Sequence, residues 1–119
     1  MKEWYLTRYS TNTDASGELG GYVDYEKALI AAEDFLKVGD EWDVAIHATV
    51  KSYRICEDKD IPSLYLVFAG DEYVLSTTDV AEAERAAKEK SGNVFACVPT
   101  GGYVDMINDC AAKCGCRLI

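Results

Sequence analysis

The chain is poor in the residues from which most active sites are built. Its single histidine, His47, would have to serve any Cys–His or Ser–His nucleophile. It alternates to the outward face of a strand beside Thr49 and Lys51, with no partner readable from the sequence, so no catalytic residue is assigned and the chain is expected not to be an enzyme. Phosphate-binding loops are missing too. "GELGG" (Gly17–Gly21) is neither G-x-G-x-x-G nor G-x-x-x-x-G-K-[ST], and it carries Glu18 with no lysine nearby, so no cofactor is expected. With only two prolines and nine glycines in 119 residues, collagen-like and low-complexity polymers are excluded. No run of 18 apolar residues exists, which excludes a membrane-spanning helix. The opening "MKEWYLTRYS" has no apolar h-region and no small-residue cleavage site, and cytoplasmic residence is the expectation.

Positive charge is scarce. Twelve basic residues face 21 acidic ones, for a net charge of −9, and that field repels phosphate backbones. The basic-glycine-aromatic RNP1 pattern is absent as well, so direct nucleic-acid binding is not expected. The five cysteines (Cys56, Cys97, Cys110, Cys114, Cys116) are an odd number in a chain without an export signal, which implies free thiols. The spacing of the last three, C-x3-C-x-C, matches no usual zinc pair. Cys110 and Cys114 fall on an apolar stripe, so they read as small core residues and no metal site is assigned.

What is present is the pattern of one domain over residues 1–119, with about half of its residues apolar (49%). Glu3 to Tyr9 alternate as a strand, and "STNTDASGELGG" reads as a loop. Asp24 caps a helix with apolar residues at Tyr25, Ala28, Leu29, Ala32, Phe35 and Leu36, and Gly39 stops it. From Trp42 the period changes to two, with Trp42, Val44, Ile46, Ala48 and Val50 on one face. "LYLVFAGDEYVLS" is a hairpin turning at Gly70-Asp71. Asp79 and Glu82 form a capping box for a second helix ended by Gly92. "NVFACVP" is a short strand, and "GGYVDMINDCAAKCG" shows helical spacing before a last short strand, "CRLI".

This order predicts a ferredoxin-like split βαβ fold of the α+β class: a mainly antiparallel sheet, helices on one face, and an extra C-terminal helix. Two internal echoes bear on it. "GGYVD" occurs at Gly20–Asp24 and again at Gly101–Asp105, and each copy reads as a helix start. "DYEKALIAAE" (Asp24–Glu33) aligns without a gap on "DVAEAERAAK" (Asp79–Lys88), and "WYL" echoes "LYL" upstream.

Acidic clustering is the remaining signal. "EDFLKVGDEWD" (Glu33–Asp43) holds five carboxylates and one lysine, and "EDKD" (Glu57–Asp60) adds three more. Such clusters are usually solvated loop tips. They also form a negative patch that competes with phosphates for a basic groove. Asp40, Glu41, Asp43, Glu57, Asp58 and Asp60 are the candidate steering residues, with Tyr5, Tyr9 and Tyr65 as candidate anchors for a partner. In size, charge and missing catalytic apparatus the chain resembles small acidic phage or mobile-element inhibitors such as anti-CRISPR proteins. That resemblance of type transfers no residues. It implies an inhibitor that blocks the basic nucleic-acid site of a larger enzyme. The alternative is a regulatory small-molecule-binding domain, with its ligand near the loop from Ser10 to Gly21.

Overall fold

The computed structural model describes residues 3–11, 14–38 and 46–107. Among the described residues eight elements follow one another: β1 (Glu3–Thr11), β2 (Ser16–Tyr22), α1 (Tyr25–Val38), β3 (Ile46–Ile55), β4 (Leu64–Ala69), β5 (Glu72–Thr77), α2 (Val80–Lys90) and β6 (Asn93–Ile107). The six strands form one sheet in the order β2-β1-β3-β6-β4-β5, and every neighbouring pair is antiparallel. The sheet curls until its two edges meet, giving a nearly closed barrel with two helices outside it. This replaces the ferredoxin-like split βαβ expectation.

Two misread stretches account for the difference. "SGELGGY" was expected to be loop because three glycines interrupt its apolar pattern, but it pairs with β1 from Tyr5↔Tyr22 to Ser10↔Ser16. Its glycines are needed by close neighbours. A Cβ on Gly17 would lie 2.8 Å from the Tyr9 ring, and one on Gly21 would lie 2.3 Å from Tyr73 Cδ1. The second GGYVD does not start a helix. It lies inside β6, where Val104 and Met106 are half-buried on the outer face, Met106 against the α1 cluster, while Tyr103, Asp105 and Ile107 are exposed, a period of two. Pro99 is tolerated there because the ladder to β4 ends at Cys97 and the pairing with β3 is interrupted beside it. The expected C-terminal helix therefore begins on residues that are strand. Its remainder, with Cys110, Cys114, Cys116 and "CRLI", lies outside the described residues, as do Trp42, Val44 and Gly39.

The sheet order is palindromic, and the two halves share one plan. In each, a hairpin is followed by a helix and a third strand that pairs with the first strand of the hairpin: β1-β2-α1-β3 and β4-β5-α2-β6. The stretches that echo each other in sequence occupy equivalent places. Trp4 and Leu6 in β1, like Leu64 and Leu66 in β4, point into the barrel. Asp24 Oδ1 accepts from Glu26 N at 2.9 Å, and Asp79 Oδ1 accepts from Ala81 N at 3.0 Å, so both helices are capped alike. Ala28 and Ala32 of α1 correspond in the alignment to Ala83 and Ala87 of α2, and all four are buried. Small side chains at these positions let each helix lie close on the sheet.

Both faces of the sheet are therefore packed. Inside, Trp4, Leu6, Tyr53, Leu64, Leu66, Phe68 and Cys97 form the barrel core, with Trp4 and Phe95 ring centroids 4.6 Å apart. Outside, α1 covers Tyr5, Ala48 and Val50, and α2 covers Tyr65, Val67 and Val94. Bulges bend the sheet enough to close: Leu19 is skipped between Thr7↔Gly20 and Arg8↔Glu18, and Val74 between Val67↔Leu75 and Phe68↔Tyr73.

Burial decides the reactivity of Cys97. Desolvation, then the neighbouring Cys56 thiol, pushes its pKa up to about 12, and its Sγ donates to Phe95 O at 3.2 Å. Iodoacetamide at mild alkaline pH is expected to modify Cys97 at least ~100-fold more slowly in the native protein than in denaturant. Mass spectrometry of the Cys97 peptide checks this. Equal rates in the two states would contradict the burial.

The seam between β2 and β5 is closed by side chains. No main-chain ladder joins these strands among the described residues. Instead Glu18 accepts hydrogen bonds from Tyr73 Oη and Ser76 Oγ of β5, and from Arg8 Nη2 at 3.0 Å. Burial alone would raise Glu18's pKa. The bonds from Ser76, Tyr73 and Arg8, with Arg8's charge, outweigh it and hold the carboxyl below its usual range. A carboxylate with a depressed folded pKa contributes stability above its unfolded value of about 4.3, and loses it as pH falls through the folded value. Glu18 is partly exposed, so solvent screening keeps the effect near ~1 kcal/mol. Glu18→Gln is expected to lower Tm by roughly 4 °C at pH 7 and by less at pH 3. A calorimetric difference that stays the same at both pH values would contradict the ionised latch.

Candidate functional site

On the outer face of the sheet, beside the first turn of α1, lies a cleft of ≈ 380 Å³. Its walls come from four elements: Glu3 and Tyr5 from the start of β1, Tyr25 from the first turn of α1, Val50 and Ser52 from β3, and Val104 from β6. The alternation of β1 puts Glu3 and Tyr5 on one face, and the Asp24 cap starts α1 so that Tyr25 stands beside Tyr5. The two rings lie 5.2 Å apart, tilted by 58°. Tyr5 Oη donates to Glu3 Oε2 at 3.0 Å. Burial, and then the Glu3 bond and charge, raise the Tyr5 pKa, so the phenol stays neutral.

An acidic turn adjoins the cleft through the register of β1 and β3. Glu3 pairs with Arg54 across the strands. Arg54 Nη1 donates to Asp60 Oδ2 at 2.7 Å and to Ile55 O at 3.1 Å. Asp60 also accepts from Glu57 N at 2.9 Å, and Asp60 N donates to Glu57 O at 2.9 Å. The Arg54 bond, then the Glu57 N–H, hold the Asp60 carboxyl below its usual range. Asp60 is therefore a brace, and the turn it braces presents Glu57 and Asp58 to solvent. Asp24 and Glu26, both exposed, add carboxylates at the start of α1.

The sequence-derived candidates are thus dispersed. Tyr5, Glu57, Asp58 and Asp60 belong to this end of the sheet. Tyr9 stacks on Phe35, 4.6 Å between centroids, beneath α1. Tyr65 packs beneath α2. Asp40, Glu41 and Asp43 lie outside the described residues. Glu3, Asp24, Glu26 and Tyr25 were not among the candidates. The two-residue spacing of Glu3 and Tyr5 on a strand was a readable clue, whereas the approach of Tyr25 depends on how α1 docks.

The other features carry less. His47 Nε2 lies 3.3 Å from Asp105 Oδ1, which also accepts from Thr49 Oγ1 at 2.8 Å, so the histidine has a carboxylate partner that sequence spacing did not reveal. Ser10 sits across the strands from His47. Among the described residues no three His, Cys, Asp or Glu side chains converge to hold a metal ion. No described helix is long and apolar enough to cross a membrane. The Ser10–Gly21 segment, the loop near which the alternative reading places a small ligand, is largely the β1–β2 hairpin. Comparison of the chain with protein-family models, with curated proteins and with solved structures finds no match.

Proposed function

We propose that this chain is an acidic protein-binding domain that docks on a basic surface of a larger protein, and that it acts as an inhibitor by occupying a surface meant for nucleic acid. One observation supports this above the rest: the braced turn bearing Glu57 and Asp58 stands at the same end of the sheet as the Glu3–Tyr5–Tyr25 cleft. Carboxylates held by an internal Arg54–Asp60 pair are spared part of the ordering cost of binding. Exposed acids steer the encounter, and tyrosines beside them supply contact area with little side-chain entropy to lose. The net charge of −9 sets the sign of the partner.

The test is capture from a cell lysate on the immobilised chain at about 50 mM and about 500 mM salt, where screening differs several-fold. Basic proteins are expected to be retained at low salt and released at high salt. The double substitution Glu57→Lys with Asp58→Lys is expected to slow association and flatten the salt dependence. Asp40→Lys, Glu41→Lys and Asp43→Lys form a second set that reads the other acidic segment. Retention indifferent to salt and to both sets would sink this reading.

A further inference from the structure

We propose that the Glu3–Tyr5–Tyr25 cleft is a receptor for one guanidinium group, an inference that rests on the protein-binding reading and names the side chain the partner inserts. Three features of the cleft converge on a planar organic cation. The first is the aromatic wall: the Tyr5 and Tyr25 rings pack against each other, tilted at 58° with centroids 5.2 Å apart, and both line the cleft, so one of its walls is an aromatic face. Cations are drawn to such faces, and more strongly where water is partly excluded. The second is the carboxylate. Glu3 sits at the rim with one oxygen held by Tyr5 Oη, which fixes its orientation, and an ionised carboxyl has about four acceptor sites. A guanidinium matches it with two parallel N–H donors and stacks at the same time, which an ammonium does not do. The third is the floor. Val50 is 1% exposed and Val104 is half-buried, so the base of the cleft is apolar and suits an alkyl stem.

The surrounding charges favour a cation. Arg54, the cross-strand neighbour of Glu3, is committed to Asp60 and Ile55 O. Lys51 lies on the opposite face of β3 from Val50 and Ser52. The positive end of α1 is countered by Asp24, which caps it, and by Glu26 in its first turn. An anionic ligand would meet Glu3, Asp24 and Glu26 together. The volume of ≈ 380 Å³ is near the lower end of the ~300–1,000 Å³ range of small-ligand pockets and suits one side chain.

The experiment is a titration of the full chain followed by backbone-amide and tyrosine-ring NMR shifts, using N-ethylguanidinium, its neutral isostere N-ethylurea, and a capped Ala-Ala-Arg-Ala-Ala peptide. N-ethylguanidinium is expected to give saturable shifts confined to Glu3, Tyr5, Tyr25, Val50 and Val104. N-ethylurea is expected to give none. Glu3→Gln should weaken binding by about tenfold and Tyr25→Leu by about threefold to fivefold, the sizes associated with a charge-assisted bond and a partly exposed cation–π contact. Both residues are at least partly solvent-exposed, and an unchanged amide fingerprint elsewhere verifies that each variant is folded. Peptide binding at least as tight as that of N-ethylguanidinium assigns the arginine of a protein. Binding of N-ethylguanidinium alone, with the peptide excluded, keeps the guanidinium site but overturns the protein side chain as its source. Non-saturable shifts, equal shifts with the urea, or indifference to Glu3→Gln overturn the site itself. Capture on the immobilised chain reads the parent proposal independently. Salt-sensitive retention without guanidinium binding removes only the cleft, and guanidinium binding without retention removes only the partner.

Discussion

Trp4→Ala is expected to cost roughly 3–5 kcal/mol of unfolding free energy, the largest effect of any single substitution considered for this chain. Trp4 is 2% exposed at the centre of the barrel, and its ring lies 4.6 Å from Phe95 and 6.3 Å from Phe68 between centroids. Removing the indole leaves a void lined by Leu6, Leu66 and Phe68, which are held by ladders on both sides and collapse poorly. Marginal stability makes this a severe loss, since domains typically unfold at ~5–15 kcal/mol. Urea denaturation at pH 7 is the check. Trp4→Phe keeps most of the volume and should cost about 1–2 kcal/mol, so the two variants separate cavity formation from general intolerance. A loss below about 1 kcal/mol for Trp4→Ala would mean that the indole does not fill a closed barrel.

The second large effect is expected at Gly21. A Cβ there would fall 2.3 Å from Tyr73 Cδ1 and 2.6 Å from Cε1, closer than packed atoms allow. The ring must swing away, which also withdraws Tyr73 Oη from Glu18. Gly21→Ala is therefore expected to destabilise by about 1–3 kcal/mol through overpacking at the seam. A double-mutant cycle isolates the cause. In a Tyr73→Ala background the same substitution should cost less than about 1 kcal/mol, and the coupling is the seam contact itself. Additive costs would place the strain elsewhere. Gly70→Ala is a useful contrast: nothing lies within 4 Å of its Cβ position, but φ is +65°, so its cost of roughly 1 kcal/mol is backbone strain alone.

These two sites mark what the sequence could and could not convey. Both helices were legible because capping and periodicity agree locally: Asp24 and Asp79 each bind the second N–H beyond them, and buried alanines recur at helical spacing. The Gly70-Asp71 hairpin was legible for the same reason, as Gly70 adopts the positive φ its turn requires. β2 was hidden because Gly17 and Gly21 are explained only by the Tyr9 and Tyr73 rings that crowd them. Tyr73 lies in the other half of the chain. Barrel closure was out of reach for a related reason, since Glu18 meets Tyr73 and Ser76 at separations of 55 and 58 residues. The helical reading of Tyr103, Met106 and Ile107 failed because their i, i+3, i+4 spacing suits a helix, whereas the strand puts Met106 on the opposite face from Tyr103 and Ile107. Pairing with β3 decided for a strand and left Ile107 43% exposed. At the candidate site, Tyr5 and the acidic turn could be read locally. Glu3 and Tyr25 became part of it through strand register and helix docking.

The most direct test of an acidic domain that occupies a nucleic-acid surface is competition. The chain is immobilised, basic lysate proteins are bound at about 50 mM salt, and the column is challenged with short duplex DNA, with tRNA, and with polyglutamate matched in total charge. The expected result is release of the retained proteins by one nucleic acid at lower charge concentration than polyglutamate requires, with weaker initial retention on the Glu57→Lys, Asp58→Lys variant. Retention that both nucleic acids leave untouched, or that polyglutamate displaces equally well, would contradict occupation of a nucleic-acid surface.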